Sequence, residues 1–236
     1  MSEWAKKRFW KETTYEATEG GFKVLLDGRG VKTPAKAPLV VPTEEMAKAV
    51  VEEWDAQEGT IDPTSMPVTR SVNAAIDKVA LQHGEVADML AEYGGSDLVC
   101  YRATTPEELI TRQAAAWDPL LEWAAETFDA RLKPVAGVMF AAQDAGALSK
   151  LREKTHSFDN FELAAFHDLV GISGSLIIGF AATRDLHSIE TLWELCRIDE
   201  QWQEDQWGRD EEAAEEAEKK RQAFMNAYAF FNLSKN

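Results

Sequence analysis

The chain has 236 residues, of which 45% are hydrophobic and 28% are charged, and this balance is typical of a globular protein rather than a disordered one. Its formal net charge of −16 argues against nucleic-acid binding, because the neutralisation of phosphates requires an excess of Lys and Arg. The longest apolar run, residues 169–182, is shorter than the ~20 residues that a membrane span needs, so none is expected.

The cysteines and the N-terminal residues indicate the compartment. Only Cys100 and Cys196 occur, and no CxxC motif is present, which fits free buried thiols in a reducing environment. The first ten residues contain neither the apolar core of a secretory signal nor the acid-free composition of a mitochondrial presequence. We therefore expect a cytoplasmic protein of bacterial type.

The first forty residues predict β-strands. Segments rich in β-branched and aromatic residues alternate with turn residues, and they span 11–18, 22–26, 31–33 and 39–41. The run from Asp27 to Gly30 is typical of a hairpin turn, because glycine adopts positive φ at no steric cost. No helix opens from these glycines and the GxxxxGK spacing is absent, so they predict neither a dinucleotide fingerprint nor a P-loop.

From Thr43 onward apolar residues recur at helical spacing. Thr43 is the expected N-cap of the first helix. The next helix begins near Pro67, with Thr64 or Ser65 as its cap. Thr105 to Glu108 matches a capping box for a long helix.

Three later boundaries follow from local signals. Pro119 is expected to kink or restart the long helix, with Asp118 as a new cap. Residues 96–102 suit a short helix or a strand, and we favour a helix. Residues 172–182 are small and apolar all round, which predicts one buried helix.

The end of the chain also follows from caps and breakers. Ser188 is expected to cap a helix that runs into an acidic stretch, and Gly208 is expected to break it. Asp210 then caps the last helix. Together these elements predict an α+β fold with a small β-rich N-terminal domain, residues 1–66, and a larger all-helical C-terminal domain, residues 67–236; the boundary could move to about residue 90.

The acidic stretch, residues 199–218, contains ten acids and one base and thus over half of the net charge. The apolar stripe of the preceding helix, from Ile189 to Cys196, continues at helical spacing onto Asp199, Glu200, Gln203 and Trp207. Because unpaired carboxylates are not stably buried, this face is either paired inside the protein or open to a positively charged partner. Trp202 and Trp207 favour a contact surface, since aromatic residues are enriched at interfaces.

Catalytic motifs are largely missing from the sequence. No GxSxG motif occurs, and the single ExxH, Glu153 to His156, is one match where a di-iron bundle needs two. Carboxylates four residues apart, such as Glu200 and Glu204, could hold a hard cation, so a metal-dependent hydrolase remains the alternative function. A third interpretation is a solvated helix whose acids pair with Lys219, Lys220 and Arg221.

Four segments carry a resemblance to a known family. They are LLDGRGVKTPAKAPLVVP (25–42), MPVTRSVNAAID (66–77), SDLVCYRATTPEELITRQAAAWDPLLEWA (96–124) and DEQWQEDQWGRDEEA (199–213). The chain resembles the assembly chaperones of the ATP synthase F1 sector, specifically the chaperone for the α subunit. The resemblance implies the same two-domain order, no enzymatic activity, no cofactor or metal and no small-molecule substrate. Mitochondrial members carry targeting sequences, so this chain is similar to a bacterial member.

The partner implied by the resemblance is the unassembled α subunit, which is shielded until β subunits replace the chaperone. The family's functionally important glutamate falls between Glu204 and Glu212, and the resemblance does not say which acid it is. Combined with the acidic and aromatic composition, this predicts a partner-binding set. Its members are Glu200, Trp202, Glu204, Trp207, Asp210, Glu211 and Glu212.

Overall fold

The computed structural model describes residues 7–235. The chain divides into two compact units. The first unit takes in the chain up to His83, together with Asn160–Ala165 and the residues from Ala229 onward. The second unit consists of Gly84–Asp159 and Phe166–Tyr228. Since compactness does not test independent folding, the division at residue 66 stays a prediction.

The first unit contains the N-terminal sheet. Its antiparallel strands are β1 (Thr13–Thr18), β2 (Gly21–Leu26), β3 (Arg29–Gly30) and β4 (Val40–Val41). β2 pairs with β1 over its whole length and with β3 and β4 along its other edge. Gly21 has φ 126°, and a Cβ there would lie 2.2 Å from the carbonyl oxygen of Val41, so this position requires glycine. The predicted strand over 31–33 is instead β3, two residues earlier.

Two helices follow the sheet in the first unit, α1 (Glu44–Asp55) and α2 (Pro67–Asp77). Thr43 caps α1 as predicted, because its Oγ1 accepts a hydrogen bond from the amide of Met46 at 3.2 Å. The predicted cap of α2 is wrong: residues 63–65 form a separate 3-10 turn, and Met66 precedes α2 without a side-chain cap.

The remaining helices are α3 (His83–Ala91), α4 (Glu107–Phe128), α5 (Ala145–His156), α6 (Asn160–Ser173), α7 (Leu176–Thr183), α8 (Ile189–Leu195), α9 (Ile198–Trp207) and α10 (Glu211–Ser234). With β1–β4 ahead of a helical remainder, the predicted fold class is confirmed. The helical part also holds a two-stranded parallel ladder of β5 (Tyr101–Arg102) and β6 (Val135–Ala136). The favoured helix over 96–102 is therefore wrong: a 3-10 turn at Leu98–Cys100 leads directly into β5.

Helix α4 departs from its predicted boundaries. Pro106, not Thr105, occupies the cap position, and no side chain caps the helix. Pro119 lies inside one continuous helix, and Asp118 pairs with Arg102 at 2.9 Å instead of capping a second segment. Burial of Trp117 and Leu120 on either side of the proline holds the helix together despite the missing amide donor.

The predicted single helix over 172–182 is also broken. Gly174 has φ 70°, and Ser175 caps α7 by accepting a hydrogen bond from the amide of Ile178 at 3.0 Å. All of α7 is buried. Gly179 allows close packing there, because a Cβ at this position would lie 2.7 Å from Cγ2 of Val170.

One carboxyl group is completely buried in the second unit. Asp97 accepts hydrogen bonds from the amide of Val99 at 3.1 Å and from the amide of Ile177 at 3.0 Å, and so connects the 3-10 turn to α7. Burial raises the pKa of Asp97 to about 6, although the hydrogen bond from Ser175 and those from backbone amides oppose the shift.

Candidate partner-binding surface

Local capping sets the position of the acidic stretch. Ser188 caps α8, Gly208 ends α9 with φ 88°, and Asp210 accepts a hydrogen bond from the amide of Ala213 at 2.8 Å at the start of α10, all as predicted. The helix from Ser188 is not continuous, however. Cys196 and Arg197 separate α8 from α9, so the two helices do not share one unbroken stripe.

A cavity lies on each side of α9. The first, here the acidic groove, has a volume of about 590 Å³ and is lined by Leu98, Gly171, Ile172, Ser173, Gly174, Trp193, Cys196, Arg197, Glu200, Gln203, Glu204, Trp207, Gly208, Asp210, Ala213, Glu216, Ala217 and Lys220. The second, here the apolar groove, has a volume of about 460 Å³ and is lined by Tyr101, Arg102, Ala103, Thr104, Thr105, Pro106, Leu109, Gln113, Gly137, Val138, Asp199, Trp202, Gln203 and Trp207. Gln203 and Trp207 belong to both linings, so α9 is a ridge between the grooves.

The two grooves divide the predicted partner-binding residues. Glu200, Glu204, Trp207 and Asp210 line the acidic groove, whereas Trp202 lines only the apolar groove. Glu211 and Glu212 are exposed at the start of α10 and line neither. The structure thus brings four of the seven predicted residues together, and their role in partner binding stays a prediction.

Part of the acidic charge is paired within the protein. Glu204 lies 2.9 Å from the guanidinium of Arg197, which in turn stacks over the ring of Trp193 at 5.6 Å. On the same helix Asp205 pairs with Arg112 at 2.7 Å. These contacts orient the two carboxylates and reduce the negative field that they present to a partner.

Other carboxylates of the stretch remain available. Among residues 7–235, Glu200, Glu211 and Glu212 form no ion pair, and all three side chains are exposed. Trp207 is 79% exposed at the end of α9, which is unusual for so large an apolar side chain. The surface therefore combines free negative charge with an exposed indole ring.

The sequence reasoning missed most of the apolar groove. Its far wall comes from β5, from the start of α4 and from the connection after β6. These segments are separated by more than fifty positions from α9 and show no shared periodicity. The one local signal was the apolar run Val138–Met139–Phe140, which a sequence pattern alone does not distinguish from buried residues.

The chemistry of the site is not nucleophilic. Cys196 lines the acidic groove, but burial, reinforced by the charge of Glu200, raises the pKa of its thiol to about 12. Within residues 7–235 no group of three or more His, Cys, Asp or Glu side chains is arranged to hold a metal ion. His156 of the ExxH motif contacts the carboxylate of Asp88 at 2.5 Å. The hydrolase alternative thus has no candidate metal centre in the described part of the chain.

No helix among residues 7–235 has both the length and the apolar character required to cross a bilayer. The structure divides the apolar run of residues 169–182 between α6 and α7.

Comparison with known proteins identifies the family. A family model described as ATP12 chaperone protein matches residues 7–125, about half of the chain. The mitochondrial protein atp12 of Schizosaccharomyces pombe is 28% identical over 221 residues, which cover 89% of this chain and 76% of that protein.

Two crystal structures share the fold over nearly the whole chain. Atp12 from Paracoccus denitrificans superposes with a TM-score of 0.96 at 47% identity, covering 99% of this chain and all of that one. The Atu1473 protein from Agrobacterium tumefaciens superposes with a TM-score of 0.92 at 39% identity, covering 97% of this chain and 86% of that one. The matched family model and these structural likenesses show that the chain belongs to the ATP12 chaperone family.

Proposed function

We propose that this chain is an assembly chaperone of the F1 sector of ATP synthase, and that it binds the unassembled α subunit and hands it to β subunits. Membership of the ATP12 chaperone family supports the assembly role. The observation that carries the binding site is the exposed Trp207, which lines the acidic groove together with Glu200, a carboxylate without an ion pair; the unpaired Glu211 and Glu212 follow at the exposed start of α10.

The chemistry of the client explains why this surface suits it. A free α subunit exposes an apolar interface and basic groups that, in the assembled ring, face a nucleotide. Fixed carboxylates speed the encounter and select a basic partner, while an exposed indole supplies contact energy. Release then requires only that a β subunit offers a larger interface. No ATP site and no catalytic group are needed in the chaperone.

The solvated-helix interpretation accounts for only part of the stretch. It fits Glu216 and Glu218, which pair with Lys219 and Arg221 at 3.4 Å and 2.7 Å. Such exposed pairs are screened by solvent and contribute little to stability. That interpretation gives no reason for an indole ring left largely in water, which favours the chaperone proposal.

The proposal places the protein in the cytoplasm, where its two buried free thiols fit a reducing environment. Subcellular fractionation tests this location. The central experiment is co-expression with the α subunit alone: we expect soluble α to increase when this protein is present and to be recovered in a complex with it. Unchanged α solubility and no complex would contradict the function.

A charge reversal tests the surface itself. In the triple variant Glu200→Lys, Glu211→Lys, Glu212→Lys, each change removes a carboxylate that forms no ion pair with another described residue, so no such pair is broken. Glu211 and Glu212 lie in the first turn of α10, where lysine is less favourable than glutamate, so folding is checked separately. We expect capture of α to weaken at least about tenfold, which corresponds to about 1.4 kcal/mol.

The matched control is Glu19→Lys, Glu52→Lys, Glu58→Lys, which changes the net charge equally at exposed acids of the first unit. Unchanged circular dichroism and melting temperature in both variants establish folding. If α binds equally to both variants, the docking surface lies elsewhere.

A further inference from the structure

An exposed apolar segment follows β6. Val138, Met139 and Phe140 are 93%, 79% and 73% exposed, and they are consecutive. Single exposed apolar residues are ordinary, but a continuous apolar patch on a protein surface marks a contact with another molecule. Val138 also lines the apolar groove together with Trp202 and Trp207, so the segment and the ridge of α9 border the same cavity.

The backbone of β6 has an open edge. Its neighbour in the ladder is β5, and no second strand lies beside it among residues 7–235. The amide of Gly137 donates to the carbonyl oxygen of Arg102 at 2.8 Å. Because neighbouring residues of a strand direct their backbone groups to opposite sides, the N–H and C=O of Ala136 point away from β5. Ala136 is exposed, so these groups are available to another strand.

Two charged side chains line the apolar groove, and one of them, Asp199, keeps its negative charge because its hydrogen-bond donor is a neutral amide. Arg102 pairs with Asp118, and Asp199 accepts a hydrogen bond from Gln113 at 2.6 Å. The rest of the lining is mainly aromatic, aliphatic or uncharged, as at Tyr101 and Leu109. A segment bound here therefore carries apolar side chains. Across α9, the acidic groove and the start of α10 favour basic groups on the same partner.

We propose that β6 and residues 137–140 bind an extended apolar segment of the client, with basic residues nearby, as a strand added to the β5–β6 ladder. This inference rests on the proposed function and specifies how the client is held. Backbone hydrogen bonds to Ala136 supply affinity, and the apolar groove accepts alternate side chains of the added strand. A second copy of this chain is a poor occupant, because it would bring a second stretch of ten acids toward the first.

Hydrogen exchange followed by mass spectrometry tests the inference on the wild-type protein and its complex with purified α subunit. We expect the amides of Ala136 and of residues 138–140 to exchange rapidly in the free protein and to be protected when α is bound. A complex that forms without protection of this segment overturns the strand addition and leaves the proposed function intact. If the segment becomes protected as the concentration of this protein is raised without α, the edge mediates self-association. That result would also overturn the strand-addition inference.

A backbone substitution provides an independent test. Ala136→Pro removes the outward N–H, which has no hydrogen-bond partner among residues 7–235, and leaves the Gly137 to Arg102 bond in place. Ala136→Val is the matched control, because it keeps the N–H in an equally exposed strand position. We expect the proline variant to capture α at least tenfold less well than wild type and the valine variant to capture it normally. Equal capture by all three overturns the inference.

The apolar side chains are tested separately. Val138→Ser, Met139→Ser, Phe140→Ser removes the patch without touching a buried residue, and Leu81→Ser removes an apolar side chain that is 82% exposed in the first unit. We expect only the triple variant to lose capture of α. If wild type itself fails to capture α, the proposed function falls together with this inference, which distinguishes that outcome from loss of the strand-addition model alone.

Discussion

Asp97 shows how a single buried carboxyl group links stability to pH. Its carboxylate accepts hydrogen bonds from the amides of Val99, Leu176 and Ile177 and from Ser175, yet complete burial raises its pKa to about 6. An unfolded aspartate titrates near pH ~3.9. Between these values the folded protein holds a proton that the unfolded chain has released. The contribution of this group to the free energy of unfolding is therefore largest at the acid end and falls as the pH rises from about 4 to about 6.

The variant Asp97→Asn tests this linkage. Its side chain cannot ionise, and its NH2 group faces backbone donors, so we expect it to be less stable than wild type by about 1–3 kcal/mol or more at pH 4. The difference in the free energy of unfolding between wild type and the variant should narrow by up to about 3 kcal/mol by pH 7. Urea denaturation of both proteins across this range measures it. A gap that is constant with pH would show that Asp97 does not titrate in the window.

Local signals predicted some residue roles correctly, although the caps predicted at Thr64 or Ser65, at Thr105 and at Asp118 were wrong. Ser188, Gly208 and Asp210 act within three residues of their own positions, so their roles as caps and breaker could be predicted from the sequence. The ion-pair partner of Glu204 could not be predicted from the sequence, because Arg197 reaches Glu204 only after the turn at Cys196–Arg197 sets the direction of α9.

At the scale of elements, periodicity predicted where helices occur but not where they break. Residues 172–182 read as one buried helix, yet Gly174 and Ser175 separate α6 from α7. A similar break at Cys196 and Arg197 places Trp202 on the apolar groove and Glu200 on the acidic one. At residues 174–175 helical spacing does not register the break, because the residues on either side are equally apolar. The β5–β6 ladder escaped prediction since each strand has only two residues.

Gly179 offers a test of packing between α6 and α7. Alanine is favoured over glycine by about 1 kcal/mol in a helix interior. Here its Cβ would lie 2.7 Å from Val170 and 3.0 Å from Phe166, and overpacking of this kind costs about 1–3 kcal/mol. We therefore expect Gly179→Ala to destabilise the protein by about 1–2 kcal/mol in urea denaturation.

Gly171→Ala is its control, because no atom lies within 4 Å of the added carbon and the backbone is helical. That substitution should leave stability unchanged or raise it by about 0.5–1 kcal/mol. If Gly179→Ala is as stable as Gly171→Ala, the α6–α7 contact is looser than the distances indicate.

For the molecule as a whole, charge is distributed unevenly. Residues 1–42 carry eight bases and five acids, whereas residues 199–218 carry ten acids and one base. The division of the chain into units was beyond sequence reasoning, because Asn160–Ala165 and the residues from Ala229 join the first unit from far along the chain. Only contacts between distant segments specify such an arrangement.

The charge distribution predicts how binding depends on salt. The association rate constant of α with this protein should fall as NaCl is raised from about 50 to about 500 mM, because the Debye length shrinks from about 14 Å to about 4 Å. In the variant Glu212→Lys, which removes one free carboxylate, the association rate constant should depend less steeply on salt. Stopped-flow measurements provide the rate constants. A salt-independent rate for wild type would remove electrostatic steering from the proposed function.

Trp207 lines both the acidic and the apolar groove, and this position affects which clients bind. A polypeptide that is only basic contacts the acidic groove, and one that is only apolar contacts the apolar groove. Only a chain bearing both features at the right separation engages the two at once, and linked weak contacts multiply. Under both proposals, α9 selects a client that carries basic and apolar features together, and polypeptides with only one of these features bind more weakly.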